Sequence, residues 1–281
     1  MAAFMPQVPV DKPTLEQPLR YGLFQAAIGP LPLETHMRGG GLYWYNTMCG
    51  GGQGYETNCL ADLDAKVFNE AGLDIVVALP FVVLASYTCA PNLGVDEMER
   101  LTRQKLHSIE QSVVEQAFSD SLFGMSPGLA NNPDVVTVAS GATELVDVIG
   151  ELENALYCTS QYGPPGVLHV PFVVFERMKS EHLIEFSNGR WRTAVGTVVS
   201  TGCYSGNEPD GDAPAAGTFW IYITGQTVVW RTAQGEEEIV PVEGSLNRTT
   251  NQYTGVAERE YVVGFECGVY ALPVTLWTVA P

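Results

Sequence analysis

The run Gly124-Met125-Ser126-Pro127-Gly128 matches G-x-S-x-G, the pattern in which a serine on a tight strand-to-helix turn becomes an exposed nucleophile. Such a serine needs a base within hydrogen-bond reach, and His169, in Gly-Val-Leu-His-Val-Pro, is the candidate. The context speaks against an elbow. A long helical pattern precedes Ser126, and Pro127 followed by Leu-Ala-Asn-Asn-Pro-Asp replaces the helix that should come next. A single histidine on an apolar strand is more often a structural residue. His182 stands beside Glu181 without an H-E-x-x-H pattern, and Asp210 and Asp212 lie in a Pro/Gly/Ala loop with nothing to raise a carboxyl pKa. The glycines after Arg38 are no phosphate cradle, which needs G-K-[ST] opening a helix; the next lysine is Lys66. Six cysteines are dispersed without a C-x-x-C pair. Cys49 and Cys59 flank the glycine-rich loop, and with His36 they could hold a metal; the competing reading is free thiols in a reducing cytosol. Cys89 and Cys267 sit in apolar stretches as small core residues. Asn247-Arg248-Thr249 is a glycosylation sequon with no secretory context. The reading is therefore no catalytic residue, no cofactor site and no metal centre.

The totals frame that reading. A chain of 281 residues buries roughly 75% of its unfolded surface, so it needs no disulfide to fold. Charged residues make up 16% of the chain, below the usual ~25%. That shortage suits a subunit surrounded by copies of itself, and it also suits some secreted proteins. The balance is acidic, 32 carboxylates against 14 Lys and Arg, for a net charge of −18. Affinity for a phosphate backbone comes from Lys and Arg, so the composition argues against nucleic-acid binding. The closest basic cluster, Arg100, Arg103 and Lys105, is interleaved with Glu97, Glu99 and Glu110. The first residues show neither the basic nor the apolar region of a secretory signal. The longest apolar run, Ile75 to Ala85, is broken by Pro80 and is far below the ~20 residues of a membrane span.

Residues 1–33 carry proline at positions 6, 9, 13, 18, 30 and 32, which forbids helix. Apolar residues interleave them, so the segment reads as an arm that packs on its own or an adjacent subunit. Tyr43, Trp44 and Tyr45 form a short strand between glycine clusters and mark a contact surface. Residues 73–90 read as two buried strands, or one bent at Pro80. A helix spans 95–123, capped by Asn92 or Asp96, with Leu106, Ile109, Val113 and Ala117 on its apolar stripe and Gly124 at its end. At 1.5 Å per residue it is roughly 40 Å long. A second helix covers 142–157. The rest reads as strand: Val167–Val174, a hairpin at Asn188-Gly189, Val195–Ser200, a hairpin of TFWIYIT with TVVWRT about Gly225-Gln226, and a C-terminal strand or strand pair bending at Gly264 or Gly268. Residues 202–217 form a surface loop. The class is α+β.

Several stretches, in order, resemble the major capsid proteins of tailed phages, in particular those of actinobacterial hosts. They are PFVVLASYTC, LTRQKLHSIEQSVVEQAF, ELENALYCTSQYGPPGVLHVP, TAVGTVVSTGCYSG with FWIYITGQTVVWR, and AEREYVVGFECGVYALPV. The resemblance implies the Hong Kong 97-like capsid fold. It places an extended N-terminal arm at 1–37, an extended loop at 38–75, a peripheral domain at 76–138 and 251–281 that includes the spine helix, and an axial domain at 139–250. It implies a structural protein that self-assembles as hexamers and pentamers into an icosahedral shell in the host cytoplasm, with double-stranded DNA only as enclosed cargo. Tyr43, Trp44 and Tyr45 are then candidate inter-subunit contacts. Portal, scaffolding or decoration proteins are further partners, and no membrane is involved. Two alternatives remain: an encapsulin-type compartment shell with the same fold, and a bacterial hydrolase using Ser126 or His169. A carbohydrate-binding module built on Trp191, Trp220 and Trp230 is set against the reading of these residues as core.

Overall fold

The computed structural model describes residues 20–34, 40–50, 75–89, 95–233, 238–241 and 253–277. In chain order its elements are α1 (Leu23–Ala26), β1 (Ile28–Pro32), β2 (Leu42–Tyr45), β3 (Ile75–Ala78), β4 (Phe81–Cys89), α2 (Val95–Asp120), β5 (Val135–Thr137), α3 (Leu145–Asn154), β6 (Val167–Pro171), α4 (Phe172–Ser180), β7 (Ile184–Ser187), β8 (Arg190–Thr193), β9 (Val198–Gly202), β10 (Thr218–Thr224), β11 (Thr227–Arg231), β12 (Glu238–Pro241), β13 (Tyr253–Phe265) and β14 (Val269–Thr275). Among the described residues they form two sheets and a ribbon. One sheet runs β1-β11-β13-β12 with β4 also on β13; the other runs β5-β14-β10-β6-β9-β8-β7; β2 and β3 pair alone.

The long helix is present and ends at Asp120, three residues before the position expected. Ser121 and Phe123 take left-handed φ of 53° and 60°, and a single 3₁₀ turn over Leu122–Gly124 closes the segment. The Asn92 cap lies outside the described residues. One face of α2 packs on β4 and β13 through Leu106, Val114, Ala117 and Phe118, which meet Phe81, Val83, Tyr261 and Val263. Ile109 and Val113 are only partly buried against this cluster. The helix also buries Glu110, Gln111 and Glu115, so its second half has no broad free face.

The second core belongs to the seven-stranded sheet. Leu145, Val148, Ile149, Leu152 and Leu156 form the expected stripe of α3, which continues as a π-turn over Ala155–Thr159. Val167–Val174 is not one strand. The chain leaves β6 at Pro171 and turns into α4, which inserts Val174, Phe175 and Met178 into the same core. The two residue types favour both states, and only the packing partners decide. The Asn188-Gly189 hairpin forms as expected, with φ of 51° and 78° and Ile184 opposite Thr193.

The expected hairpin of β10 with β11 does not form. β10 pairs with β14 and β6, and β11 pairs with β13 and β1, so the chain changes sheets at Gly225-Gln226. β13 and β14 likewise part at Glu266-Cys267-Gly268 and enter different sheets. These paired crossings hold the two cores together.

Residues 20–34 pack on their own subunit. Leu23 and Leu33 are 0% and 1% exposed, β1 pairs parallel with β11, and Tyr21 meets the rings of Phe175, Phe186 and Trp191. They are core, not a detachable strap. Residues 1–19, and the loop residues Cys59, His36 and Lys66, lie outside the described residues.

Candidate functional site

The β2–β3 ribbon is the element whose residues most need a partner. Strand alternation puts successive side chains on opposite faces. The register pairs Tyr43 with Val77 and Tyr45 with Ile75, so these four share one face. All are exposed, Tyr43 to 68% and Ile75 to 57%. The Tyr43 and Tyr45 rings meet edge to face at 6.3 Å. An isolated two-stranded ribbon is marginal in water, and this one carries an uncovered apolar face.

The opposite face anchors it. Trp44 points inward with Leu42 and Ala78 toward Leu33, Val262 and Trp230. Its ring lies 5.6 Å from that of Trp230. It also covers Gly264, where a Cβ would overlap the indole. Of the three aromatic residues expected at a contact surface, Tyr43 and Tyr45 face outward and Trp44 is the internal anchor.

Past the ribbon, Cys49 is joined to Cys267 by a disulfide with a Cα–Cα distance of 5.8 Å. This corrects two expectations: Cys49 is not a thiol available to a metal with His36 and Cys59, and Cys267 is a bonded residue of the core edge, not a free one. Among the described residues, no three His, Cys, Asp or Glu side chains gather as a metal set. The Cys267 N–H donates to Asn46 Oδ1 at 3.1 Å, and the Gly50 N–H donates to the Ser160 carbonyl at 2.9 Å. At the other end of the ribbon, the Leu79 N–H donates to the Ser126 carbonyl at 2.7 Å.

Ser126 is thus a helix-ending turn residue bridged to Leu79. The cleft it borders, about 700 Å³ between β3 and the turn at Cys267, has no histidine among the described residues of its lining. His169 is 1% exposed on β6, where Nδ1 lies 3.3 Å from Tyr204 Oη and Nε2 lies 3.0 Å from Thr224 Oγ1. Its ring also meets Phe118 at 5.1 Å. Burial lowers its pKa to about 3, so it is neutral. Ser126 and His169, the residues of the hydrolase alternative, thus lie in separate surroundings. Trp191 packs with Tyr21, Phe175 and Phe186, and Trp220 and Trp230 pack against the cores, so none of the three forms a sugar platform.

Two buried glutamates are the feature that sequence pattern missed. Glu110 accepts from Arg259, from Arg231 at 3.3 Å and from the Tyr261 hydroxyl at 2.5 Å. Arg259 is 1% exposed. Burial first, and the Glu110 carboxylate second, hold the Tyr261 phenol protonated far above its ordinary range. Five positions further on, Glu115 joins three segments. It accepts the Leu23 N–H at 3.0 Å, the Cys203 N–H at 2.9 Å and the Gln111 side-chain amide at 2.8 Å. Burial raises its pKa. Gly22 and Gly202 close over this carboxylate, and a Cβ at either would overlap its oxygens. Both glutamates sit in a helix whose periodicity also fits a solvated charged face, so only their distant partners reveal them. No described helix is long and apolar enough to cross a membrane.

No protein-family model matches the chain, and no curated protein matches it. Solved structures do. The capsid of Ralstonia phage GP4 aligns with a TM-score of 0.56 at 12% identity, over 100% of this chain and 99% of that one. The capsid of cyanophage Pam1 aligns with a TM-score of 0.51 at 9% identity, over 98% of each chain. The holo-SrpI encapsulin complex of Synechococcus elongatus PCC 7942 aligns with a TM-score of 0.54 at 12% identity, over 98% and 95%. The chain has the Hong Kong 97-like capsid fold, an α+β architecture built on a long spine helix.

Proposed function

We propose that this protein is the major capsid protein of a tailed phage, assembling as hexamers and pentamers into an icosahedral shell around double-stranded DNA. The observation that carries the reading is the end-to-end alignment with a phage capsid chain, 100% of one and 99% of the other. The net charge of −18 suits a wall that encloses DNA without gripping it. In this reading residues 76–138 and 251–281 form the peripheral domain and 139–250 the axial domain, with strands exchanged across the boundary: β11 joins the sheet of β4 and β13, and β5 and β14 join that of β6 and β10. In this reading residues 38–75 are the extended loop, and the outward face of Tyr43 and Tyr45 with Ile75 and Val77 is its contact with a second copy. Trp44 supports that face from behind. No catalysis, cofactor, membrane or host other than a bacterial cytoplasm enters the proposal; portal, scaffolding and decoration proteins are its further partners.

The test is negative-stain imaging and sedimentation of the purified protein. Closed particles are expected, and they should be lost in Tyr43→Ser/Tyr45→Ser with the subunit fold intact. Only monomers or dimers across all salt and protein concentrations would refute the proposal. The encapsulin match keeps a second reading in view, a shell enclosing protein cargo. Particles purified with protein cargo and no DNA would favour it.

A further inference from the structure

We propose that the Cys49–Cys267 disulfide is a redox latch that sets how firmly the β2–β3 ribbon presents its tyrosine face; the contact role of that face rests on the shell reading above. The ribbon is tied to the body at three places, one of them the Leu79 N–H to Ser126 carbonyl bond at its far end. Trp44 anchors its inner face on Trp230 and Gly264. Residues 46–50, immediately after β2, are held to the β13–β14 turn by the disulfide and by the Cys267 N–H to Asn46 Oδ1 bond at 3.1 Å, and to the end of the π-turn after α3 by the Gly50 N–H to Ser160 carbonyl bond at 2.9 Å. The last two are ordinary hydrogen bonds in a segment where Thr47, Met48 and Gly50 are exposed, and such bonds open readily. The disulfide is the one covalent tie among them. It joins positions 218 residues apart, so no local chain geometry substitutes for it. Cys49 is half-buried and Cys267 is 9% exposed, and both border the core of the seven-stranded sheet.

The chemistry is thiol–disulfide exchange with a small disulfide such as oxidised glutathione. The Cys49 thiolate attacks one glutathione sulfur, the glutathione S–S bond breaks and one glutathione thiolate leaves. The Cys267 thiolate then attacks Cys49 Sγ, the mixed disulfide breaks and the second glutathione leaves. Two protein thiols are oxidised, one glutathione disulfide is reduced to two glutathiones, and the protons pass to solvent or to the leaving thiolates. Excess glutathione drives the reverse. In a reducing compartment the latch is open and residues 46–50 are held by hydrogen bonds alone; in an oxidising one it closes and the tyrosine face is fixed.

The test uses the full chain as unassembled subunit, equilibrated with reduced or oxidised glutathione. Peptide mapping without reductant should give a Cys49–Cys267 linked peptide in the oxidised sample only. Amide exchange at residues 42–45 and 75–78 should slow on oxidation by about tenfold or more, as expected when a local opening is closed covalently. In Cys49→Ser, and separately in Cys267→Ser, exchange at the ribbon should not respond to glutathione. Exposed Cys158 reports that the oxidant has reacted, through its own mixed disulfide. A Cys49–Cys59 linkage, no linkage, or equal exchange in both redox states overturns the latch whether or not the protein assembles. A latch that forms and slows exchange in a protein that never makes particles refutes the shell reading and leaves the latch standing.

Discussion

Replacing Glu110 with leucine tests the reading of the α2–β13 interface most sharply. The carboxylate has 9% of its side chain exposed, and its Arg259 partner has 0%. It also receives Arg231 and the Tyr261 hydroxyl. Removing one member of a buried pair costs about 3–5 kcal/mol, because the remaining charge keeps its desolvation penalty. Arg231, whose side chain is 26% exposed, can recover hydration, so the loss is concentrated at Arg259. Against a typical stability of about 5–15 kcal/mol the variant stays folded but marginal. Its thermal midpoint should fall by roughly 10 °C. Removing both charges in Glu110→Leu/Arg259→Met should restore stability to within about 1 kcal/mol of the parent, since apolar replacement of a buried pair is often neutral. Urea unfolding of unassembled subunits, followed by tryptophan fluorescence, measures all the variants, including Arg259→Met alone. A single-variant cost below about 1 kcal/mol, or a double variant no better than Glu110→Leu, would refute the claim that a desolvated charge pair holds the spine helix to the sheet.

Four further outcomes are expected. Gly264→Ala should push Trp44 off its seat, shift the tryptophan emission and raise amide exchange across β2 while the rest of the sheet keeps its protection, because the added Cβ overlaps the indole. His169 should make the protein acid-sensitive: its folded pKa is about 3 against an ordinary 6.5, so the stability it confers is full above 6.5 and is lost as pH falls toward 3, and the stability difference between parent and His169→Gln should shrink over that window. Glu115 runs the opposite way. Burial raises its pKa above 4.5, so ionising it costs stability as pH rises from there, and the parent should lose ground to Glu115→Gln across that rise. Finally, truncating residues 1–33 should abolish the folded subunit as judged by circular dichroism, since Leu23, Ala26, Ala27 and Leu33 are all at most 5% exposed.

What the sequence determined by itself is what local rules decide. Leu106 and Ala117 lie on one side of any helix built from residues 95–120, Asn188-Gly189 favours left-handed φ at both hairpin centres, and alternation places Tyr43 and Tyr45 on one face whatever lies beneath them. The capsid fold was legible in the order of these stretches, because element order survives where identity has fallen to 12%. Only the tertiary structure decided the rest. The apolar run at 167–174 fits strand or helix equally, and the switch at Pro171 was settled by the core that Val174 and Met178 complete. β10 and β11 look like a hairpin until β14 and β13 claim them for separate sheets. Trp44 was assigned inward by Gly264, 220 residues away in the chain, and Cys49 was paired by a partner 218 residues off. Glu110 reads as part of a mixed-charge face, and nothing in the pattern singles out Glu115, because a carboxylate's burial depends on donors from β13, the 20–34 segment and the end of β9, and none of these is near it in sequence. Periodicity carries information over a few turns of chain; pairing between distant segments is chosen by the energy of the whole packed arrangement.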